Sequence, residues 1–363
     1  MYTSTDSARI LSVPRNSKAK GTPGRAASAT PRREGAAGRR ISTLAAAALA
    51  LLVGTTSVAP AWAEDWKPQR PIRMVLGYTP GGAADAVARD LAPVMEKVLG
   101  QPVVVDYRPG AGGAIGVEAV ANAQADGLTI GLIDGAPLTI IPNARRVNYD
   151  PVSSLSYLGI VSRSPLAILV NPSVAANSLQ ELLALARGNP NGLTYATSGI
   201  GTIHQMSSEL LQASTQVSML HVPYKGAAPA LTDVMAGAVK VSFSTISPAA
   251  PFVKAGKLRA LAVTSDREVA LLPGVKTVAS QGVAGYNSEG WFVMAAPKGL
   301  PAPIVAKLNE AINAALATPA IQQKFAEQGS NSDPSTPTEA TELVKRDYRK
   351  WGEVIRTQHL TFD

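Results

Sequence analysis

Residues 103–116 read VVVDYRPGAGGAIG: a strand, a tight turn and the opening of a helix. Val103, Val104 and Val105 are β-branched and apolar, which suits a buried strand. Pro109 and Gly110 stop it. Gly112 and Gly113 then bring bare backbone N–H groups to the start of a helix expected from about Ala114 to Asn122. The first N–H groups of a helix lack intrahelical partners and the dipole favours negative charge there, so such a turn can receive an anion. No acidic side chain lies between Arg108 and Gly116 to fill it. An ordinary strand-to-helix turn carries the same local signature. A second stretch of the same kind, residues 79–85 (TPGGAAD), again between strand and helix, favours the anion-binding reading.

Outward from these turns, residues 72–78 read as the first strand. A helix follows from Ala84 to Leu99, with Asp85 in its first turn, Lys97 in its last, Gly100 as C-cap and a kink expected at Pro93. Residues 128–133 form another apolar strand, ending at Asp134 and Gly135. The order βαβαβ is that of a mostly parallel sheet flanked by helices, which binds ligands at the carboxyl ends of its strands, where both Gly-rich turns fall. Residues 166–170 read as a strand, and Ser178 to Glu181 as a capping box opening a helix to about Arg187. After a strand at 193–196 comes a third Gly-rich turn, residues 198–202 (SGIGT), and a helix to about Ala213. Residues 221–226 (HVPYKG) are a short strand and turn before a helix to Met235, with strands expected at 239–243 and 258–263. A second α/β unit therefore spans 167–289. Residues 290–295 are strand-like, Ile304, Leu308, Ala311, Ile312 and Ala315 form one apolar helical stripe, and Thr336, Pro337 and Glu339 open a last helix to about Ile355. The chain crosses between the units near 166 and 290, so the expected domains are 64–166 with 290–363, and 167–289.

The first 63 residues stand apart. Nine basic residues and two acids precede an apolar run from Leu44 to Val53 and an A-x-A site at residues 61–63. This is a secretory signal with a long basic lead, cleaved between Ala63 and Glu64, and its apolar run is too short to span a bilayer. Without it, the 34 basic and 26 acidic residues of the chain become 25 and 24. The basic charge belongs to the export signal and carries no argument for nucleic acid. With no cysteine, disulfides, cysteine nucleophiles, Cys-based metal sites and a lipid-anchoring cysteine are excluded. These features place the mature chain in the periplasm as a soluble protein.

Catalytic and cofactor patterns are absent. His204, His221 and His359 are too few and scattered for a metal cluster. Residues 197–201 resemble a nucleophile elbow, but Ala196 stands where the first glycine belongs. A Ser198–His204 pair keeps a hydrolase open as an alternative, while Ser198 also suits hydrogen bonding to a ligand or a helix cap. Ile115 breaks the dinucleotide fingerprint and there is no P-loop. No metal or cofactor is implied. Tyr78 and Tyr224 remain beside the Gly-rich turns, where a tyrosine can donate a hydrogen bond into a pocket. N–H-rich helix starts without a catalytic group describe a receptor for a small anion.

At this level of detail the chain resembles the tripartite tricarboxylate transporter substrate-binding family, the Bug or TctC-type receptors. The residues that carry the resemblance are 71–73 (PIR) with 78–85 (YTPGGAAD), 108–113 (RPGAGG) with Ile115 and Gly116, 125–127 (ADG), Tyr195 with 198–202 and His204, 221–226 with Pro229 and Ala230, 256–262 (GKLRALA), and Gly285 and Tyr286 with Trp291, Ala296 and Pro297. The resemblance implies a two-domain periplasmic binding protein of the type II flytrap kind, closing on a carboxylate: a di- or tricarboxylate, an aromatic acid or an amino acid. It implies a ligand held by Tyr78, Gly81, Gly82, Ala83, Gly112 and Gly113 of the first domain and by Ser198, Thr202, His204 and Tyr224 of the second. The partner implied is a set of membrane permease subunits, with a sensor protein as the alternative; a monomer is expected. Lys240 and Ser244 stand where members often carry an acid. Asp134 at the end of its strand would disfavour a purely anionic ligand nearby and favour one that also bears an amine or hydroxyl.

Overall fold

In the computed structural model, which describes residues 66–332 and 334–362, strands β1 (Ile72–Leu76), β2 (Val103–Tyr107) and β3 (Thr129–Asp134) are parallel neighbours. The export signal and its cleavage site at residues 1–64 lie outside the described residues. A long strand, β4 (Leu155–Val170), leaves this region. Beyond it come β5 (Thr194–Thr197), β6 (Leu220–Pro223), β7 (Val241–Thr245), β8 (Arg259–Val263) and β9 (Glu289–Pro297). The helices, in chain order, are α1 (Ala83–Leu99), α2 (Ala114–Ala121), α3 (Ile141–Ala144), α4 (Leu179–Gly188), α5 (Ile203–Thr215), α6 (Ala227–Met235), α7 (Ile246–Lys254), α8 (Ala302–Leu316), α9 (Pro319–Glu327) and α10 (Pro337–Thr357).

The first sheet runs β2-β1-β3-β9-β4, with β3, β9 and β4 antiparallel in succession. The second is built on the other half of β4, which pairs with β7 and β8, while β5 is parallel to β6 and β7. One strand thus serves two α/β lobes. Its residues up to Pro165 pair with β9 and those from Leu166 onward with β7 and β8. In sequence, Ser162 to Pro165 interrupts the apolar pattern, so only the part after 165 reads as strand. The part before it is held by burial of Leu158, Ile160 and Val161.

Helices cover both faces of each sheet. Met74, Leu91, Met95, Ile130, Leu308 and Ile312 share one core of the first lobe, and Val75, Val117, Ile133, Trp291 and Val344 share the other. Each such buried side chain contributes about 1.5–3 kcal/mol of transfer free energy. Pro93 does not end α1, which continues through it. A smaller cluster joins the lobes: Ile140 and Met206 pack with Trp351, Val354 and Ile355 of α10, and Leu360 and Phe362 lie against them.

Two glycines bring the end of β1 and the start of α2 into backbone contact. A Cβ at Gly116 would lie 2.6 Å from the Gly77 Cα, and one at Gly77 would lie 2.6 Å from the Gly113 carbonyl oxygen. Only glycine permits this approach. It sets the first-lobe turns side by side.

Candidate ligand-binding site

A cavity of about 700 Å³ opens between the strand ends of the first lobe and the third Gly-rich turn. Tyr78 follows β1 and Asp134 ends β3. The Tyr78 hydroxyl donates to the Asp134 carboxylate and also lies 3.2 Å from the Gly112 carbonyl oxygen. The other Asp134 oxygen accepts the Ala136 N–H at 2.9 Å. Burial raises the Asp134 acid to about 6 against the lowering effect of these bonds. Burial, then the Asp134 charge, holds the Tyr78 hydroxyl far above its ordinary range, so it stays a donor.

The start of α1 is open. Its N-cap, Gly82, provides no side-chain cap. The N–H groups of Ala83, Ala84 and Asp85 have no intrahelical acceptor, and Ala83 lines the cavity. Asp85 turns away from them: its carboxylate accepts the Gly81 N–H at 2.8 Å, the Arg89 Nε at 2.8 Å and the Tyr107 hydroxyl at 2.6 Å. Those bonds, Tyr107 first, hold it below the usual carboxylate range.

At the neighbouring glycine turn two N–H groups are already taken. The Gly113 N–H donates to the Gly110 carbonyl at 3.0 Å, the Ala114 N–H to Ala111, and Arg145 Nη2 to the Ala111 carbonyl at 2.8 Å. Gly113 therefore has no N–H to offer a ligand, contrary to the expectation from sequence. Its need for glycine is steric and conformational: φ is +94°, and a Cβ would stand 2.9 Å from the Tyr78 hydroxyl. Gly112 does line the cavity.

On the second lobe, Thr202 caps α5 by accepting the Gln205 N–H, and the Gln205 side chain accepts the Gly201 N–H at 2.8 Å. Ser198 Oγ lies 2.5 Å from His204 Nδ1. Burial lowers His204 to about 4, so the ring is neutral near pH 7. The serine thus sits on Nδ1, where a catalytic triad has its carboxylate, and among the described residues no carboxylate bonds the remaining Nε2. Ser198, Thr202 and His204 all line the cavity.

Seven expected residues therefore meet there: Tyr78, Ala83, Gly112, Asp134, Ser198, Thr202 and His204. Gly81, Gly82 and Gly113 do not line it; the first two are exposed and Gly113 is buried. Tyr224 is elsewhere, its hydroxyl bonded to Asp233 at 2.6 Å, a correction to its expected place. Lys240 Nζ donates to the Gly237 carbonyl at 2.9 Å, and the Ser244 hydroxyl is buried without a hydrogen-bond partner among the described residues.

Sequence reasoning did not place Arg145, Glu289, Phe292, Trp351 or Phe362 in the wall, and used Trp291 only as part of a motif. Trp291 is fixed by its indole N–H to Asp347, at 2.8 Å. Asp347, 2 % exposed, also takes Arg346 and Lys350. The signal available in sequence was a lone Glu289 opening an apolar run. Among the described residues no cluster of His, Asp or Glu is arranged to hold a metal, and no helix is long and apolar enough to cross a membrane.

Residues 87–360 match the model of the tripartite tricarboxylate transporter family receptor. The chain is 33 % identical over 312 residues to the protein BugT of Bordetella pertussis, covering 85 % of this chain and 96 % of the relative. Among solved structures it is similar to an R. palustris protein with adipate, at 31 % identity and TM-score 0.68, covering 82 % of this chain and 99 % of that one. It is similar also to the periplasmic binding protein BugD, at 32 % identity and TM-score 0.66, covering 81 % and 99 %.

Proposed function

The chain belongs to the tripartite tricarboxylate transporter receptor family, and from that premise we propose that it is a periplasmic receptor that captures a small organic carboxylate and delivers it to membrane permease subunits. The observation that carries the reading is the uncapped start of α1 in the cavity wall. A carboxylate there receives N–H groups that no side chain caps among the described residues, in a field that favours negative charge. Arg145 adds a positive charge to the same wall. The adipate of the R. palustris relative is a ligand of this class.

The lobes, 64–166 with 290–363 and 167–289, close on the ligand by bending where β4 and the start of β9 cross between them. Ser198, Thr202 and His204 approach from the second lobe. The Ser198–His204 pair serves hydrogen bonding to the ligand, since a ring that burial lowers to about 4 and no carboxylate orients is a weak base. Activated esters should show no Ser198-dependent turnover in a comparison with Ser198→Ala.

The test is a thermal-shift screen of carboxylates, because a ligand that binds only the folded state raises the melting temperature. Small-angle scattering at saturation should then show a smaller radius of gyration. A panel of di- and tricarboxylates, aromatic acids and amino acids that leaves the melting temperature unmoved would overturn the reading.

A further inference from the structure

We propose that Glu289 recognises a cationic amine on the ligand, so that this receptor takes amino-carboxylates in preference to dicarboxylates of the same length. The inference rests on the carboxylate-receptor reading and narrows its ligand class. Glu289 opens β9, opposite Pro165, where the chain crosses between the lobes. It is 7 % exposed and lines the cavity. Among the described residues its carboxylate accepts no hydrogen bond and forms no ion pair. Burial raises its acid, against the opposing charges of Arg163, Arg267 and Lys350, with Asp266 adding to the rise. Lys350 is engaged with Asp347 at 3.1 Å.

A carboxylate this little exposed, reached only from the cavity and without a protein partner, is costly, and such a cost is tolerated where a ligand relieves it. The charged side chains of the cavity wall are Asp134, Arg145 and Glu289. Asp134 is already bonded to Tyr78 and Ala136, and Arg145 together with the α1 start provides for one carboxylate. A dicarboxylate would set its second anion against Glu289, whereas an amino-carboxylate sets an ammonium there. Trp291 and Phe292, which follow Glu289 on the same strand, add aromatic surface that suits a cation.

The experiment is calorimetric titration of wild type and Glu289→Gln with two matched pairs of probes. These are adipate with 6-aminohexanoate, and 3-phenylpropanoate with phenylalanine. In wild type the amine-bearing member of at least one pair should bind about ten- to a hundredfold tighter than its partner, the range for one charge-assisted hydrogen bond. Glu289→Gln should erase that preference while melting no lower than wild type. Equal or tighter binding of the amine-free member in both pairs would overturn the inference, as would a preference that survives Glu289→Gln. If only the amine-free acids bind, the receptor reading stands and this inference falls. If none of the four binds either protein, this inference falls, and the wider carboxylate panel decides the receptor reading.

Discussion

The helix starts at residues 82–85 and 202–205 look alike in sequence, each a glycine-rich turn running into an apolar helix, and they differ at the N-cap. At α5 the side chains of Thr202 and Gln205 satisfy the turn's own N–H groups. At α1, Asp85 likewise takes the Gly81 N–H, along with Arg89 and Tyr107, but Gly82 has no side chain to cap the helix. At the third turn the Gly113 and Ala114 N–H groups are taken by the Gly110 and Ala111 carbonyls. A glycine-rich helix start is therefore an anion site only where nothing in the protein has already capped it. By that criterion the proposed carboxylate site lies on the first lobe, with side chains contributed by the second.

The largest effect that separates the two lobes is steric. Val at Gly116 would press its Cβ to 2.6 Å from the Gly77 Cα and 2.8 Å from the Gly77 nitrogen, neither of which can move aside cheaply. Gly116→Val should cost about 3 kcal/mol or more in chemical denaturation. Gly201→Ala meets only Phe362, at 3.8 Å, and bears mainly the strain of φ +71°. It should cost about 1–2 kcal/mol. Equal losses would mean that the first-lobe turns are not locked by backbone contact.

Acid should also divide the lobes. Asp134, raised to about 6, holds its proton more tightly folded than unfolded. Its contribution to stability is present below its ordinary value near ~3.9 and is lost as pH rises through about 6. His204, lowered to about 4, binds its proton less tightly when folded. Its contribution is present above its ordinary value near ~6.5 and is lost as pH falls from there towards about 4. His221, also lowered to about 4 by burial, acts in the same direction. Between pH 7 and 5, His204→Gln should lose less stability than wild type and Asp134→Asn more, each by about 1–3 kcal/mol. Denaturation midpoints at several pH values measure both; coincident slopes for the two variants would refute the assignment.

A smaller difference is expected from the caps themselves. Thr202→Ala removes a working cap and should cost about 1 kcal/mol. Gly82→Ala removes none, has an ordinary φ of −89° and comes no nearer than 4.0 Å to the Thr79 carbonyl oxygen, so it should change stability by less than about 0.5 kcal/mol.

The α/β alternation was legible because apolar strands ending in glycine and proline are strong local signals, and Gly100 and Thr336 mark their helix ends as expected. The first part of β4 was not, because Ser162 to Pro165 break its pattern and only the partner strand β9 shows why it is extended. The helix α7, with Pro251 inside it, has no clear start signal. In the site, the residues beside the turns were legible as a group. Which N–H groups remain unpaired was not, since the Gly110 carbonyl that closes one turn and the Asp85 partners that open another depend on three-dimensional arrangement. Tyr224 illustrates the same limit: its motif is local, but Asp233 one helix later takes its hydroxyl. Glu289, Trp351 and Phe362 reach the cavity from the crossing strand, from α10 and from the segment after it, far in sequence from the glycine turns.

The account's central claim is that the open start of α1 receives the ligand's carboxylate, and Gly82→Asp tests it most directly. The backbone of Gly82 is extended, as an N-cap requires. An aspartate there would supply the missing cap and place its own charge where the ligand's belongs. Titrated with adipate and 6-aminohexanoate, the variant should bind whichever of them wild type binds at least about tenfold more weakly, since a lost charge-assisted hydrogen bond is worth about 1.5–3 kcal/mol. Its melting temperature should be equal to or above that of wild type. Unchanged affinity in a folded Gly82→Asp protein would contradict the claim and move the carboxylate to another wall of the cavity.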